Sequence, residues 1–240
     1  MILNFIIYLR YTSSPFYSLL FTLPLFLVYE IGLLLCKSDD ISYLRNGADA
    51  LMRQMLSSFG ISGLFWMGGG FLIGSIAIYL IQKFSWEEYE IKSSYFVSMV
   101  IESILWSYLL FIFMSNMHLF LMAPIGYKVI QNVTLAIGAG IYEEILFRVV
   151  LIFLLNYILS LVFQWKNYLK NSVSIILASI FFSLFHFIGE FGDYYSFNIF
   201  MIRFLAGIYL GVLYCLRGFG IAAWSHSLYD LLVLTRITTQ

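Results

Sequence analysis

Apolar runs separated by short polar segments recur along the whole chain. Most are of the length, about 20 residues, that crosses a hydrocarbon core of about 30 Å as a helix. The pattern predicts spans over Phe16–Cys36, Ile61–Ile81, Tyr95–Phe120, Asn171–Ile188, Phe197–Leu216 and Phe219–Leu234. A further apolar run, Val129–Phe163, is too long for one straight crossing. It either tilts or bends near Gly138 and Gly140, or emerges well beyond the bilayer. The expected fold is all-α and polytopic, with about seven to eight transmembrane helices, in a single domain over residues 1–240 without internal repeats.

The connections are short and ordinary. Met1–Ser14 reads as an interfacial lead, and the span after it as its own signal-anchor. In Lys37–Ser62, Asn46-Gly47 marks a turn. The apolar residues that follow it recur at helical spacing with Arg53 opposed, which predicts a short interfacial helix. Gln82–Ser94 is a solvated loop, and Pro124-Ile125-Gly126 ends the third span, with His118 at its interfacial end. Gly68-Gly69-Gly70 with Gly74, and Gly207 with Gly211, are the small-residue patterns that let helices approach closely in lipid.

Composition removes the soluble alternative. Of 240 residues, 62% are hydrophobic and 11% charged, against about 45–50% and about 25% in a soluble domain. The formal net charge is +0, so no nucleic-acid partner is expected. Cys36 and Cys215 read as packing residues.

Against this background the polar residues inside the spans stand out. Glu143, Glu144 and Arg148 lie in the stretch Gly140-Ile141-Tyr142-Glu143-Glu144-Ile145-Leu146-Phe147-Arg148, where each buried charge costs about 3 kcal/mol. On an α-helix, Glu144 and Arg148 share a face as i and i+4. Glu143 is rotated by about 100° from Glu144, which leaves it free for a cavity. His226 and Asp230 are also i and i+4. His186 lies on a third helix, one turn after Phe182. Glu102 and Arg203 read as a pair or as residues reaching a polar end, Glu30 as a carboxylate near water, and Tyr142 and Trp224 as packing residues.

A carboxylate, two imidazoles and a further carboxylate from three helices can activate a water in two ways. Glu143, His186, His226 and Asp230 could bind Zn2+, whose bound water ionises near neutral pH. Without a metal, Glu143 would act as general base with His186 holding the water, while His226 with Asp230 stabilises the oxyanion. In that case Asp230 is either protonated or orients His226.

The three motifs, EExxxR (Glu143, Glu144, Arg148), FxxxH (Phe182, His186) and HxxxD (His226, Asp230), occur in this order over a core of about residues 129–235. Together they resemble the CPBP family of intramembrane proteases: the CAAX prenyl endopeptidases and the bacterial bacteriocin-processing or self-immunity (Abi) proteins. The resemblance implies Glu143 as catalytic base, His186 as its water partner and His226 with Asp230 on the oxyanion side. Glu144 and Arg148 would be structural support. The third motif often ends in Asn where this chain has Asp230, and Val149 replaces a frequent Gly. The implied function is endoproteolysis of a membrane-anchored peptide or protein in a bacterial cell membrane. Either processing of prenylated CAAX proteins or bacterial peptide maturation and self-immunity would fit. The opposing class is a non-catalytic scaffold or a transporter.

Overall fold

A computed structural model of the chain describes residues 2–35, 47–58, 60, 70, 73–74, 76–77, 80, 91–116, 129–163, 165–188 and 192–238. Among these residues every regular element is helical. The helices are α1 (Ile2–Thr12), α2 (Pro15–Leu35), α3 (Gly47–Ser58), α4 (Ser93–Asn116), α5 (Val129–Val162), α6 (Asn167–Phe185) and α7 (Phe197–Thr238). Five of them, α2 and α4–α7, are long and apolar enough to cross a membrane. The chain is thus an all-α, multi-pass membrane protein. The predicted span Ile61–Ile81 lies outside the described residues except for a few positions, where Gly70 and Gly74 have open space around them. His118, Cys36 and the acidic run Glu87, Glu88, Glu90 also lie outside.

Local chemistry explains the first boundary. Ser14 caps α2 by accepting from the Tyr17 N–H at 3.3 Å. Pro15 occupies the first helical position, where its missing N–H costs nothing. Upstream, the Thr12 and Ser13 hydroxyls donate back to the carbonyls of Tyr8 and Leu9, which ends α1.

The last helix carries two crossings. Its one non-helical residue is Gly218, at φ 79° and ψ 178°. Before it, Gly211 faces Ile175, Gly207 faces Ser179 and Phe182, and the Ser183 hydroxyl donates to the Phe200 carbonyl. The arm 197–217 therefore runs antiparallel to α6. After the break, the His226 ring lies 6.3 Å from the ring of the same Phe182. Gly207 and His226 would be about 28 Å apart on a straight helix, so both can meet Phe182 only if the chain doubles back at Gly218. The separate spans predicted before and after residue 218 are both present. The left-handed φ explains the glycine, and a Cβ there would also come within 2.9 Å of the Ser13 carbonyl oxygen.

The two largest apolar clusters join most of the described helices. In one, Tyr29, Ile141, Tyr142 and Ala223 join α2, α5 and the second arm of α7. In the other, Tyr17, Met99, Leu110, Leu213 and Ile221 join α2, α4 and both arms. Outward-facing residues of α4 such as Val97, Ile101, Leu105 and Leu109 are exposed, as a lipid-facing stripe requires.

Several sequence expectations change at this level. Arg53 does not oppose the core: its Nε donates to Asp49 at 2.6 Å and its Nη2 lies 4.0 Å from Glu30. Tyr29 donates to the same Asp49 at 2.8 Å. The carboxylates at this end of α2 draw the cation inward. Glu102 and Arg203 do not pair with each other. Glu102 pairs with Arg217 and accepts from Tyr8 and Trp106; Arg217 also donates to the Leu9 carbonyl, Thr12 and Ser13. Arg203 pairs with Asp193. Cys215 is exposed rather than packed.

Candidate active site

The acidic stretch is not an α-helix. Ala139–Leu151 is π-helical, inside an otherwise α-helical α5. Hydrogen bonding from i to i+5 widens the turn, so neighbouring residues are separated by less than the α-helical angle of about 100°. Glu144 and Arg148 still meet, with Arg148 Nε 3.1 Å from Glu144 Oε2. Glu143 and Glu144 still divide, Glu143 toward His186 and Glu144 toward Arg148, but the His226 ring lies between them. Both are buried, and both face His226, one on each ring nitrogen. Glu144 Oε1 lies 2.8 Å from His226 Nδ1, and Glu143 Oε2 lies 3.9 Å from His226 Nε2.

Small residues allow this approach. A Cβ on Gly140 would fall 2.0 Å from the Ser227 hydroxyl, 2.6 Å from the Ala223 carbonyl oxygen and 2.7 Å from the Ser227 nitrogen. Gly140 thus lies against the backbone that carries His226. Gly138 lets the Tyr29 ring approach within 2.5 Å of the same kind of position. These glycines set the spacing between the helices.

His186 follows the last turn of α6. Its Nδ1 lies 2.8 Å from the Phe182 carbonyl. A carbonyl only accepts, so Nδ1 carries the hydrogen. That directs Nε2 toward Glu143 Oε1, at 3.7 Å. For the same reason His226 Nδ1 donates to Glu144, and its Nε2 faces Glu143 and Asp230 Oδ2, the latter at 3.6 Å. The structure thus brings Glu143, His186, His226 and Asp230 together. The three gaps around Glu143 and Asp230 are too long for direct hydrogen bonds.

Phe182 contacts much of this assembly. Its ring meets His186 edge-on at 5.0 Å and Phe147 at 5.3 Å, and the Arg148 guanidinium lies 4.5 Å from its centroid. The cation over the ring face is a favourable placement where water is scarce. Side-chain exposure is 7% for Glu143 and His226 but 24% for His186 and 29% for Asp230. The site therefore opens on the His186–Asp230 side.

The donor set does not converge on a point. Glu143 turns a different oxygen to each histidine. Among the described residues, no group of three or more His, Cys, Asp or Glu side chains is placed to hold a metal ion. The contact that spacing alone missed is Glu144 to His226, because an α-helical template assigns Glu144 wholly to Arg148.

Residues 124–232, which contain all of these groups, match the family described as type II CAAX prenyl endopeptidase Rce1-like. No curated protein and no solved structure matches the chain.

Proposed function

We propose that this chain, whose residues 124–232 match the CAAX-type protease family, hydrolyses a peptide bond of a membrane-associated substrate with water activated by Glu143 and His186. The family implies a hydrolase acting within the membrane. The residue roles, the mechanism and the substrate class are our reading.

The observation that carries the reading is the 3.7 Å gap between Glu143 Oε1 and His186 Nε2. Both are hydrogen-bond acceptors when His186 is neutral, since its hydrogen is on Nδ1. Two acceptors facing each other at that distance suit a molecule with two hydrogens to donate. Water between them would be polarised by both. On attack, its oxygen bonds to the scissile carbonyl carbon and its proton passes to Glu143. The carbonyl oxygen becomes an oxyanion. Collapse of the intermediate breaks the C–N bond, and Glu143 returns the proton to the leaving amine.

His226 lies across Glu143 from His186 and serves the oxyanion. Glu144 accepts its Nδ1 hydrogen and fixes the ring, as a carboxylate does for the histidine of a catalytic triad. The doubly protonated ring then offers an Nε2–H to the oxyanion. Arg148, over Phe182, balances the charge of Glu144. Asp230, on the open side at 3.6 Å from the same nitrogen, positions the ring. A substrate anchored in lipid can reach a site of this depth laterally, which favours a membrane-anchored peptide.

The test uses the full chain, reconstituted in vesicles with candidate membrane-anchored peptides. Cleavage should be lost in Glu143→Gln and His186→Ala while thermal unfolding stays close to wild type. Cleavage by both variants at the wild-type rate would remove the catalytic assignment.

A further inference from the structure

His186 stands where helical support ends. It is the residue after α6, and its Nδ1 donates to the Phe182 carbonyl at 2.8 Å. The chain then turns back on it. The Asp193 N–H donates to the His186 carbonyl at 2.9 Å, and the Asp193 carboxylate pairs with Arg203. The Arg203 guanidinium also lies 5.5 Å from the centroid of the Phe187 ring, and that ring meets Tyr195 edge-on at 5.2 Å.

The arm 197–217 that carries Arg203 is itself fixed to α6. The Ser183 hydroxyl donates to the Phe200 carbonyl at 2.7 Å, and Phe200 and Arg203 share a face of the arm as i and i+3. The result is a closed frame: α6, the arm, Arg203, Asp193 and back to His186. Asp193 is half exposed, and an ion pair with one partner in water contributes little stability. Stability alone therefore does not account for a cation near the end of an apolar helix. The frame closes on one residue, and that residue is His186.

We propose that Asp193 and Arg203 are positioning residues for His186: they clamp the segment after α6 so that the ring keeps its hydrogen on Nδ1, against the Phe182 carbonyl, and leaves Nε2 an acceptor. The inference rests on the protease reading of the same site and adds two residues to it. Two tautomers of the ring compete, and the partner of one nitrogen decides the state of the other. With the hydrogen on Nδ1, Nε2 and Glu143 both accept, and a water can donate to both. With the hydrogen on Nε2, the ring would donate toward Glu143 Oε1, now 3.7 Å away, and displace that water. Loosening the backbone at His186 weakens the Phe182 contact and admits the second state. Asp193 and Arg203 touch neither the water nor the scissile bond; they act through the His186 carbonyl and through Phe187.

The test uses the full chain with isotope-labelled histidine in detergent micelles, at mildly alkaline pH where an ordinary imidazole is neutral. The chain has three histidines, and the His186 signals are those lost in His186→Gln. Long-range proton–nitrogen correlation spectra report which ring nitrogen carries the hydrogen. The wild type should show the Nδ1–H form at His186. Arg203→Gln and Asp193→Ala should move it toward the Nε2–H form, while Arg203→Lys, which keeps the charge, should retain the wild-type pattern. In vesicles, with a pool of N-palmitoylated, sequence-randomised hexapeptides as substrate, the first two variants should lower kcat about tenfold or more with KM within about twofold of wild type. A pair that only held the fold together would lower the unfolding midpoint and leave the tautomer as it was. An Nε2–H form in the wild type, or a tautomer unchanged in Arg203→Gln and Asp193→Ala, would overturn the proposal. If Arg203→Gln fails to fold, Asp193→Ala, at a half-exposed side chain, decides by the same readout. Failure of the protease reading looks different: the tautomer moves as expected, yet the wild type cuts no peptide.

Discussion

Gly140→Ala tests whether the distance between α5 and the second arm of α7 determines activity. The new methyl would lie 2.6 Å from the Ala223 carbonyl oxygen and 2.7 Å from the Ser227 nitrogen. Both are backbone atoms, so no rotamer change relieves the clash. Restoring ordinary contact means separating the two helices by about 0.8 Å. The Glu143–His226 gap, now 3.9 Å, would widen by a comparable amount, and the 2.8 Å Glu144–His226 hydrogen bond would break. Overpacking of this kind costs about 1–3 kcal/mol of stability, and a displacement of about 1 Å at reacting groups costs about a hundredfold in rate. Cleavage of a reconstituted peptide and thermal unfolding in detergent measure the two effects. Ser227→Ala is the control, because the Ser227 hydroxyl has no hydrogen-bond partner among the described residues; it should leave both readouts nearly unchanged. The double variant Gly140→Ala with Ser227→Ala should not recover, since the backbone clashes remain. Wild-type turnover in Gly140→Ala would refute the claim that this close approach sets the site.

Other expectations follow from individual contacts. Glu144→Ala strands Arg148 in a buried site and should lower stability by about 3–5 kcal/mol, read as a lower unfolding midpoint; Glu144→Gln, which preserves shape and loses charge, should keep more stability than activity. Gly218→Ala forces a Cβ into a left-handed turn and against the Ser13 carbonyl, and should cost about 1–3 kcal/mol, seen as a drop in thermal midpoint; an unchanged midpoint would argue against the hairpin. Cleavage that continues after thorough chelation, with no metal in elemental analysis, is the outcome expected if Glu143 and His186 alone activate the water, whereas loss on chelation and recovery with Zn2+ would reverse that reading.

The sequence alone determined the class, most of the described spans and the grouping of the candidate residues. Membrane depth makes a charged or ionisable side chain expensive, so Glu143, Glu144, Arg148, His186, His226 and Asp230 could be picked out without an alignment. Their helical spacing also gave the Glu144–Arg148 pair. Tertiary structure decided how they meet. Helical periodicity places residues on faces of one helix, but it does not say that the His226 ring of another segment comes to lie between the two glutamates. The Asp49–Arg53 pair, at i and i+4, was within reach of spacing alone. The partner of Arg203 depends on how the loop before α7 folds back to place Asp193, and that of Glu102 could not be read because its ion pair with Arg217 depends on which helices are adjacent. That adjacency is set by glycine contacts such as Gly140 with the Ser227 backbone, between residues far apart in the chain, and by the reversal at Gly218, which brings His226 back to Phe182.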